Sequence, residues 1–162
     1  MAGYLFDTNI WSYAFEQAAF VTGKIQKLQK SQIYLSSVVW GEVIFGARSN
    51  PRFPFDRYAE FIHQDKPLIL PIDKNVAEVF GELKAKIFEK KSDKSYRSKE
   101  GRVNLLKRPI SAREMQVDEN DLWIVAQALT YNVVLVTCDR MQVILELAPK
   151  ELKYELWQAN KG

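Results

Sequence analysis

Apolar residues recur along the chain with two different periods, and the points where the period changes outline its elements. Residues 3–6 form a short unbroken apolar run that stops at Asp7, the pattern of a buried strand. Asp7 or Thr8 then caps a helix reaching about Gln17, and Val21, Ile25 and Leu28 mark one face of a second helix over 21–29. A brief strand at 33–35 leads to Ser36 and Ser37, which cap a helix whose apolar surface (Val38, Trp40, Val43, Ile44, Ala47) is interrupted by Glu42. Residues 54–63 read as helix and 68–70 as a third strand. Asp73 opens a long helix in which Val76, Ala77, Phe80, Leu83, Ile87 and Phe88 keep the 3.6-residue period.

That pattern dissolves after Lys90 into a polar stretch to about Gln116, and Pro109 argues against a continuous helix there. Order returns with a helix over 118–131, a β-branched strand at 133–137, a short helix at 140–147 and a last edge strand at 153–157. Strands alternating with helices predict an α/β fold, a mostly parallel sheet with helices on both faces. In such sheets function collects where strands end and helices begin.

Length and composition narrow this further. The 162 residues suit one domain with a full-sized core, so the expectation is a single domain over 1–162 carrying a basic insertion at about 90–116. No apolar run approaches the roughly 20 residues needed to cross a bilayer. The start of the chain has no basic flank, apolar stretch or small-residue cleavage site of a signal peptide. Cys138 is the single cysteine, which excludes an internal disulfide. These features predict a cytoplasmic protein without a membrane partner.

Charge changes the picture more than composition does. Residues 84–113 hold eleven Lys or Arg against three acids, a net +8 that leaves −5 for the rest of a chain whose total is +3. A basic stripe beside an acidic body suits a protein that holds a polyanion and keeps a cation site elsewhere. A solvated helix followed by a charged loop fits the same segment equally well.

The acidic side of that balance contains four residues that close or interrupt apolar runs: Asp7 after Tyr-Leu-Phe, Glu42 within Val-Trp-Gly-Glu-Val-Ile, Asp121 before Leu-Trp-Ile-Val, and Asp139 after Val-Leu-Val-Thr-Cys. A carboxylate among buried neighbours is costly unless paired, hydrogen-bonded or bound to metal. Each has an ordinary alternative. Asp7 serves as a helix N-cap, Asp121 as a charge favourable to a helix N-terminus, Asp139 as a turn former and Glu42 as a partner for Arg48. Taken together, a parallel sheet brings all four to one edge, where mutual repulsion calls for a cation. Ligands that are all oxygen favour Mg²⁺ or Mn²⁺ over Zn²⁺.

The same residues carry a family resemblance. Leu5-Phe6-Asp7-Thr8-Asn9-Ile10 resembles the opening motif of PIN domains. Residues 35–47, centred on Trp40-Gly41-Glu42-Val43-Ile44, are similar to their second block, and 119–128 and 135–139 to their third and fourth. The blocks occur in the family's order across nearly the whole chain, and the pattern is similar to VapC-like toxins of bacterial toxin–antitoxin pairs. The resemblance implies a three-layer α/β/α sandwich and a Mg²⁺- or Mn²⁺-dependent endoribonuclease. It also implies a type II toxin with a cognate antitoxin, frequently dimeric. Two features depart from it. The segment 88–116 is longer than the tight turn of compact toxins, and Arg140-Met141-Gln142-Val143-Ile144 lacks an aromatic residue after the fourth acid.

Carried onto this chain, the resemblance makes Asp7, Glu42, Asp121 and Asp139 the catalytic set. Asp7 and Asp121 bind the ion directly, while Glu42 and Asp139 do so directly or through water. In-line attack by water then leaves a 5′-phosphate and a 3′-hydroxyl. Thr8, Asn9, Asn120 and Thr137 are short polar neighbours placed to orient the carboxylates, or equally to cap helices. For a single-stranded or structured RNA substrate, Tyr96, Arg97, Lys99, Arg102, Lys107 and Arg108 are the candidate contacts. Trp11, Trp40 and Trp123 lie on apolar helix faces and read as core or dimer contacts, and Trp157 as either.

Rival chemistries lack their residues. His63 is the only histidine, which leaves no pair for metal-independent RNA cleavage and no base near Cys138. An aspartyl-nucleophile phosphatase calls for a second acid where Asn9 stands, and Gly41 and Gly46 lack the Lys-Ser/Thr of a phosphate loop. The remaining competitor is a non-catalytic RNA-binding or regulatory module with the same fold. Retention of four mutually repelling carboxylates weighs against it.

Overall fold

The computed structural model describes residues 2–28, 30–91, 98–108 and 110–159. Five short strands, β1 (Gly3–Phe6), β2 (Gln32–Ser36), β3 (Leu68–Leu70), β4 (Val134–Thr137) and β5 (Tyr154–Leu156), form one sheet in the order β3-β2-β1-β4-β5. Every ladder is parallel. β1 lies at the centre, and the residues it shares with its neighbours (Leu5, Phe6, Leu35, Leu135, Val136) are wholly buried. Such strands are apolar on both faces, which is why residues 3–6 read as an unbroken run rather than an alternating one. The edges behave differently: Leu68 and Ile69 on β3, and Tyr154 and Leu156 on β5, are exposed.

Helices cover the sheet in two groups. α1 (Thr8–Phe15) packs on α2 (Ala19–Lys27) and α4 (Phe55–His63). α7 (Glu119–Thr130) packs on α3 (Ser37–Ser49) and α5 (Lys74–Lys91), and α5 in turn on α8 (Gln142–Leu147). This is the expected α/β/α architecture, and each predicted strand is present, β1 and β3 with the expected bounds and the others within one residue of them.

Register sets the height of the strand ends. Phe6 pairs with Leu35 on one side and Val136 on the other. The next residues, Asp7, Ser36 and Thr137, therefore leave the sheet at one level. The Asp7 N–H still donates to the Val136 carbonyl at 3.0 Å, so its backbone remains part of the sheet while its side chain caps α1. Ser36 caps α3 and Asp118 caps α7 in the same way.

One region departs from the sequence pattern. The basic stretch contains a further helix, α6 (Lys99–Lys107), and a 3₁₀ turn at Arg113–Met115. Ser98 starts α6 by accepting the Gly101 N–H at 3.0 Å. α6 spans nine residues and exposes Val103, while Leu105 meets Phe88 of α5 and Ile110 across a shallow groove. Too few of its residues are buried to print a helical period on the sequence. Pro109 itself lies outside the described residues.

Candidate active site

Asp7, Glu42, Asp121 and Asp139 reach one cavity of about 240 Å³ above the ends of β1 and β4. Four separate segments deliver them. Asp7 follows β1 directly, Asp139 stands two residues beyond β4, Glu42 lies in the second turn of α3, and Asp121 in the first turn of α7. Thr8, Asn9, Asp118 and Ile124 also line it, and among the described residues no Lys or Arg does.

Protein donors hold two of the carboxylates in place. Asp7 is only 3% exposed. Its Oδ1 accepts the Ile10 N–H at 2.8 Å and its Oδ2 accepts the Thr137 hydroxyl. Thr137 Oγ1 also accepts the Asp139 N–H at 3.0 Å, tying the turn that carries the fourth acid to the residue that orients the first. Glu42 accepts the Thr8 hydroxyl and, at 2.7 Å, the Asn120 side-chain N–H. Thr8, Asn120 and Thr137 thus each touch an acid, whereas Asn9 lines the cavity and hydrogen-bonds the Cys138 side chain.

Electrostatics follow from this geometry. Burial pushes the Asp7 carboxyl up to about 6, opposed by its bonds from Thr137 and Ile10 and assisted by repulsion from Asp139 and Glu42. Burial raises Asp121 to about 7, with Asp118, Asp139, Asp7 and Glu42 each adding repulsion. A cluster of carboxylates, two of them resisting ionisation, with no Lys or Arg among the described residues of its wall, offers the oxygen donors that a hard divalent ion takes. As the side chains stand, among the described residues no three His, Cys, Asp or Glu groups are drawn close enough to ligate one ion. Both oxygens of Asp7 and both of Glu42 are engaged by these protein donors, Thr8, Asn120, Thr137 and the Ile10 amide.

Two residues of this region escape the sequence pattern. Asp118 is a fifth acid in the wall, legible on the sequence only as the cap of α7. Gln127, one polar residue in the apolar run Ile124-Val125-Ala126-Gln127-Ala128, is wholly buried. Its Oε1 accepts the Ser36 hydroxyl at 2.5 Å, and its Nε2 donates to the carbonyls of Leu70 at 2.8 Å and Pro71 at 3.1 Å and to Ser37 Oγ at 3.3 Å. Gln127 therefore ties the helix bearing Asp121 to the cap of the helix bearing Glu42.

Of the candidate RNA contacts, the described ones fall elsewhere. Lys99 and Lys107 are exposed on α6, and Arg108 is exposed and paired with Glu114 at 3.2 Å; none lines the acidic cavity. Tyr96, Arg97 and the side chain of Arg102 lie outside the described residues. Trp11 and Trp157 are buried, and Trp123 stacks on Phe80 with ring centroids 3.6 Å apart. His63 is exposed at the end of α4, edge-on to Trp40. Burial raises the Cys138 thiol to about 11, far from the thiolate a nucleophile needs.

Comparison with known proteins completes the description. The family model of the PIN domain matches residues 4–146. No curated protein sequence matches the chain. Among solved structures, VapBC2 from Rickettsia felis, bound to a DNA fragment from its promoter, is similar at 21% identity and a TM-score of 0.64, covering 96% of this chain and 99% of that one. VapBC-1 from nontypeable Haemophilus influenzae is similar at 22% identity and a TM-score of 0.61, covering 96% and 98%. DNA-bound VapBC from Salmonella typhimurium gives 16% and 0.64, covering 98% and 100%. At these identities the likeness establishes a shared fold.

Proposed function

The chain belongs to the PIN domain family, and from that premise we propose that it is a metal-dependent endoribonuclease, the toxin of a type II toxin–antitoxin pair. The observation that carries this reading is the convergence of Asp7, Glu42, Asp121 and Asp139 on one cavity whose wall, among the described residues, holds no Lys or Arg. Asp7 and Asp121 are the direct ligands for Mg²⁺ or Mn²⁺, with Glu42 and Asp139 completing the site directly or through water. A divalent ion there supplies Lewis acidity, activating water and offsetting charge that builds on the phosphate.

The chain's own residues do the rest. Thr137 holds Asp7, and Thr8 and Asn120 hold Glu42, so neither carboxylate swings freely as substrate enters. Asp7 and Asp121, raised towards neutrality by burial and repulsion, release protons when a cation enters. The RNA phosphorus is attacked by water, the bond to the 3′-oxygen breaks, and that oxygen leaves as a 3′-hydroxyl with the phosphate on the 5′ end.

Partners follow from the same premise. The similar solved structures are VapBC complexes, which supports a cognate antitoxin. Phe45, Leu68, Ile69 and Ile72 are large apolar residues left exposed on α3, on β3 and just beyond it, which supports a homodimer. Among the described residues no helix is long and apolar enough to cross a membrane, and the cytoplasm, where RNA is met, is the proposed location.

The test is cleavage of a mixed single-stranded RNA by purified protein, with and without Mg²⁺ or Mn²⁺, beside Asp7→Asn. Asparagine keeps an oxygen for the Ile10 N–H, so the cap and fold are retained. Cleavage should require metal, leave 5′-phosphate ends and fall by about 10³-fold or more in the variant. RNA binding without turnover in any metal would instead identify a non-catalytic module, and cyclic-phosphate ends would mean a different active site.

A further inference from the structure

Residues 138–140 separate two cavities. Asp139 belongs to the acidic one, while Cys138 and Arg140 line a larger cleft of about 710 Å³ shared with Tyr13, Phe20, Trp157 and Gln158. Its composition is the reverse of its neighbour's. Arg140 is exposed and, among the described residues, makes no ion pair. Tyr13 is 38% exposed and meets Phe20 edge-on at 5.0 Å, an arrangement that leaves ring surface open to the cleft. Lys24 sits 5.5 Å over the ring of Trp157, one of the lining residues, and brings a second positive charge near it. Gln158 adds a side-chain amide that both donates and accepts.

We propose that this cleft is a nucleotide subsite for the RNA strand, in which Arg140 takes a phosphate next to the scissile one and Tyr13 stacks on the adjoining base. The proposal rests on the ribonuclease reading of the acidic cavity and adds to it the path of the strand. Three observations favour an RNA occupant. A guanidinium presents a fork of donors that matches phosphate. An open aromatic ring beside a cation is the pairing that holds unpaired bases without a duplex. The cleft also adjoins the acidic cavity, since Cys138 and Arg140, which line it, flank Asp139 in the chain, so a strand held at the acids has a neighbouring nucleotide on this side. Among the described residues of the basic segment, Lys99, Lys107 and Arg108 line neither cavity.

The experiment uses the full chain carrying Asp7→Asn, which binds without cutting, and a fluorescein-labelled mixed-sequence single-stranded RNA read by anisotropy across salt concentrations. Adding Arg140→Ala should weaken binding by about tenfold and flatten the dependence of log affinity on log salt by about 0.7 to 1, one phosphate contact. Adding Tyr13→Ala should weaken binding about tenfold with the salt slope kept, and Tyr13→Phe, which retains the ring, should restore it. In the cleaving chain the same changes should raise KM with kcat nearly unchanged. Unaltered affinity and salt slope in Arg140→Ala, while the parent binds RNA, would overturn the subsite alone, and retained RNA binding with loss of antitoxin binding would give the cleft to the protein partner. A parent chain that neither binds nor cuts RNA would overturn the ribonuclease reading and the subsite together.

Discussion

The acids of the cavity stand on elements that also build the core, whereas the lysines of α6 stand in solvent. Asp7 continues β1, whose Leu5 and Phe6 are wholly buried, and Asp121 opens α7, which buries six residues from Leu122 to Ala128. Lys99 and Lys107 project from a nine-residue helix that buries little. A carboxylate that must meet a cation or a phosphate in one geometry needs a rigid support. A lysine that only attracts a polyanion does not, because charge acts over several ångströms without fixed contacts. The difference separates positioning from attraction, and each test below bears on one side of it.

The largest effect is expected where the support itself is cut. Gln127→Leu keeps side-chain volume but leaves the Ser36 hydroxyl and the Leu70 and Pro71 carbonyls without their buried partner. Unpaired buried polar groups cost about 1–3 kcal/mol each, partly recovered by relaxation, so a loss of about 2–4 kcal/mol in urea unfolding is expected. Activity should fall with it, since Ser36 caps the helix that carries Glu42. A loss under about 0.5 kcal/mol with full activity would mean that the cavity is held by other contacts and that Gln127 only fills space.

Next in size is a pH effect confined to the cavity. Asp7 and Asp121 titrate at about 6 and about 7 in the folded chain, against 3.8 for the ordinary aspartate. The folded state therefore holds protons that the unfolded chain has released, and metal-free stability is fully present below about pH 4 and lost as pH rises through 6 and 7. For buried Asp7 the loss is on the order of 3 kcal/mol, and Asp7→Asn should remove its share of the slope. Metal affinity should run the other way, rising over the same interval as protons cease to compete. Chemical unfolding in chelator between pH 5 and 8 measures the first, and a flat profile would mean that the acids are better solvated than their burial implies.

Legibility in the sequence divides along the same line. Asp7, Glu42, Asp121 and Asp139 are conspicuous because each breaks an apolar run, and a run is apolar because its element lies in the core. The central strands of the sheet are legible for the same reason, whereas β5, exposed along its length at the edge, is legible without it. Gln127 sits in just such a run and still escapes notice, since its role depends on Ser36 and on Leu70 and Pro71, far away in sequence and adjacent only after folding. α6 escapes for the opposite reason: a helix with little buried surface prints no period, and only Ser98 at its start gives a local signal. The cleft beside Arg140 is invisible along the chain because α1, α2, the β4 exit and the segment after β5 each contribute only one to three residues to it.

The smallest effect is expected from the basic segment itself. Of the positive charges in residues 84–113, Lys84 is committed to Glu119 at 3.7 Å and Arg108 to Glu114 at 3.2 Å, and Lys99 and Lys107 are exposed on α6. Reversing both, as Lys99→Glu with Lys107→Glu, replaces attraction by repulsion at positions that line neither the acids nor the adjoining cleft. At physiological salt the Debye length is about 8 Å, so exposed charges beyond that reach act weakly on a bound strand. RNA affinity of the Asp7→Asn chain should then fall by no more than about threefold, and the salt slope by less than the 0.7 expected for one contacted phosphate. Stability should move by less than about 0.5 kcal/mol, since no buried group is disturbed. A salt slope flattened by about 1.4 or more would show that both lysines touch phosphates. The strand would then cross α6, and positioning and attraction would share one surface in this protein after all.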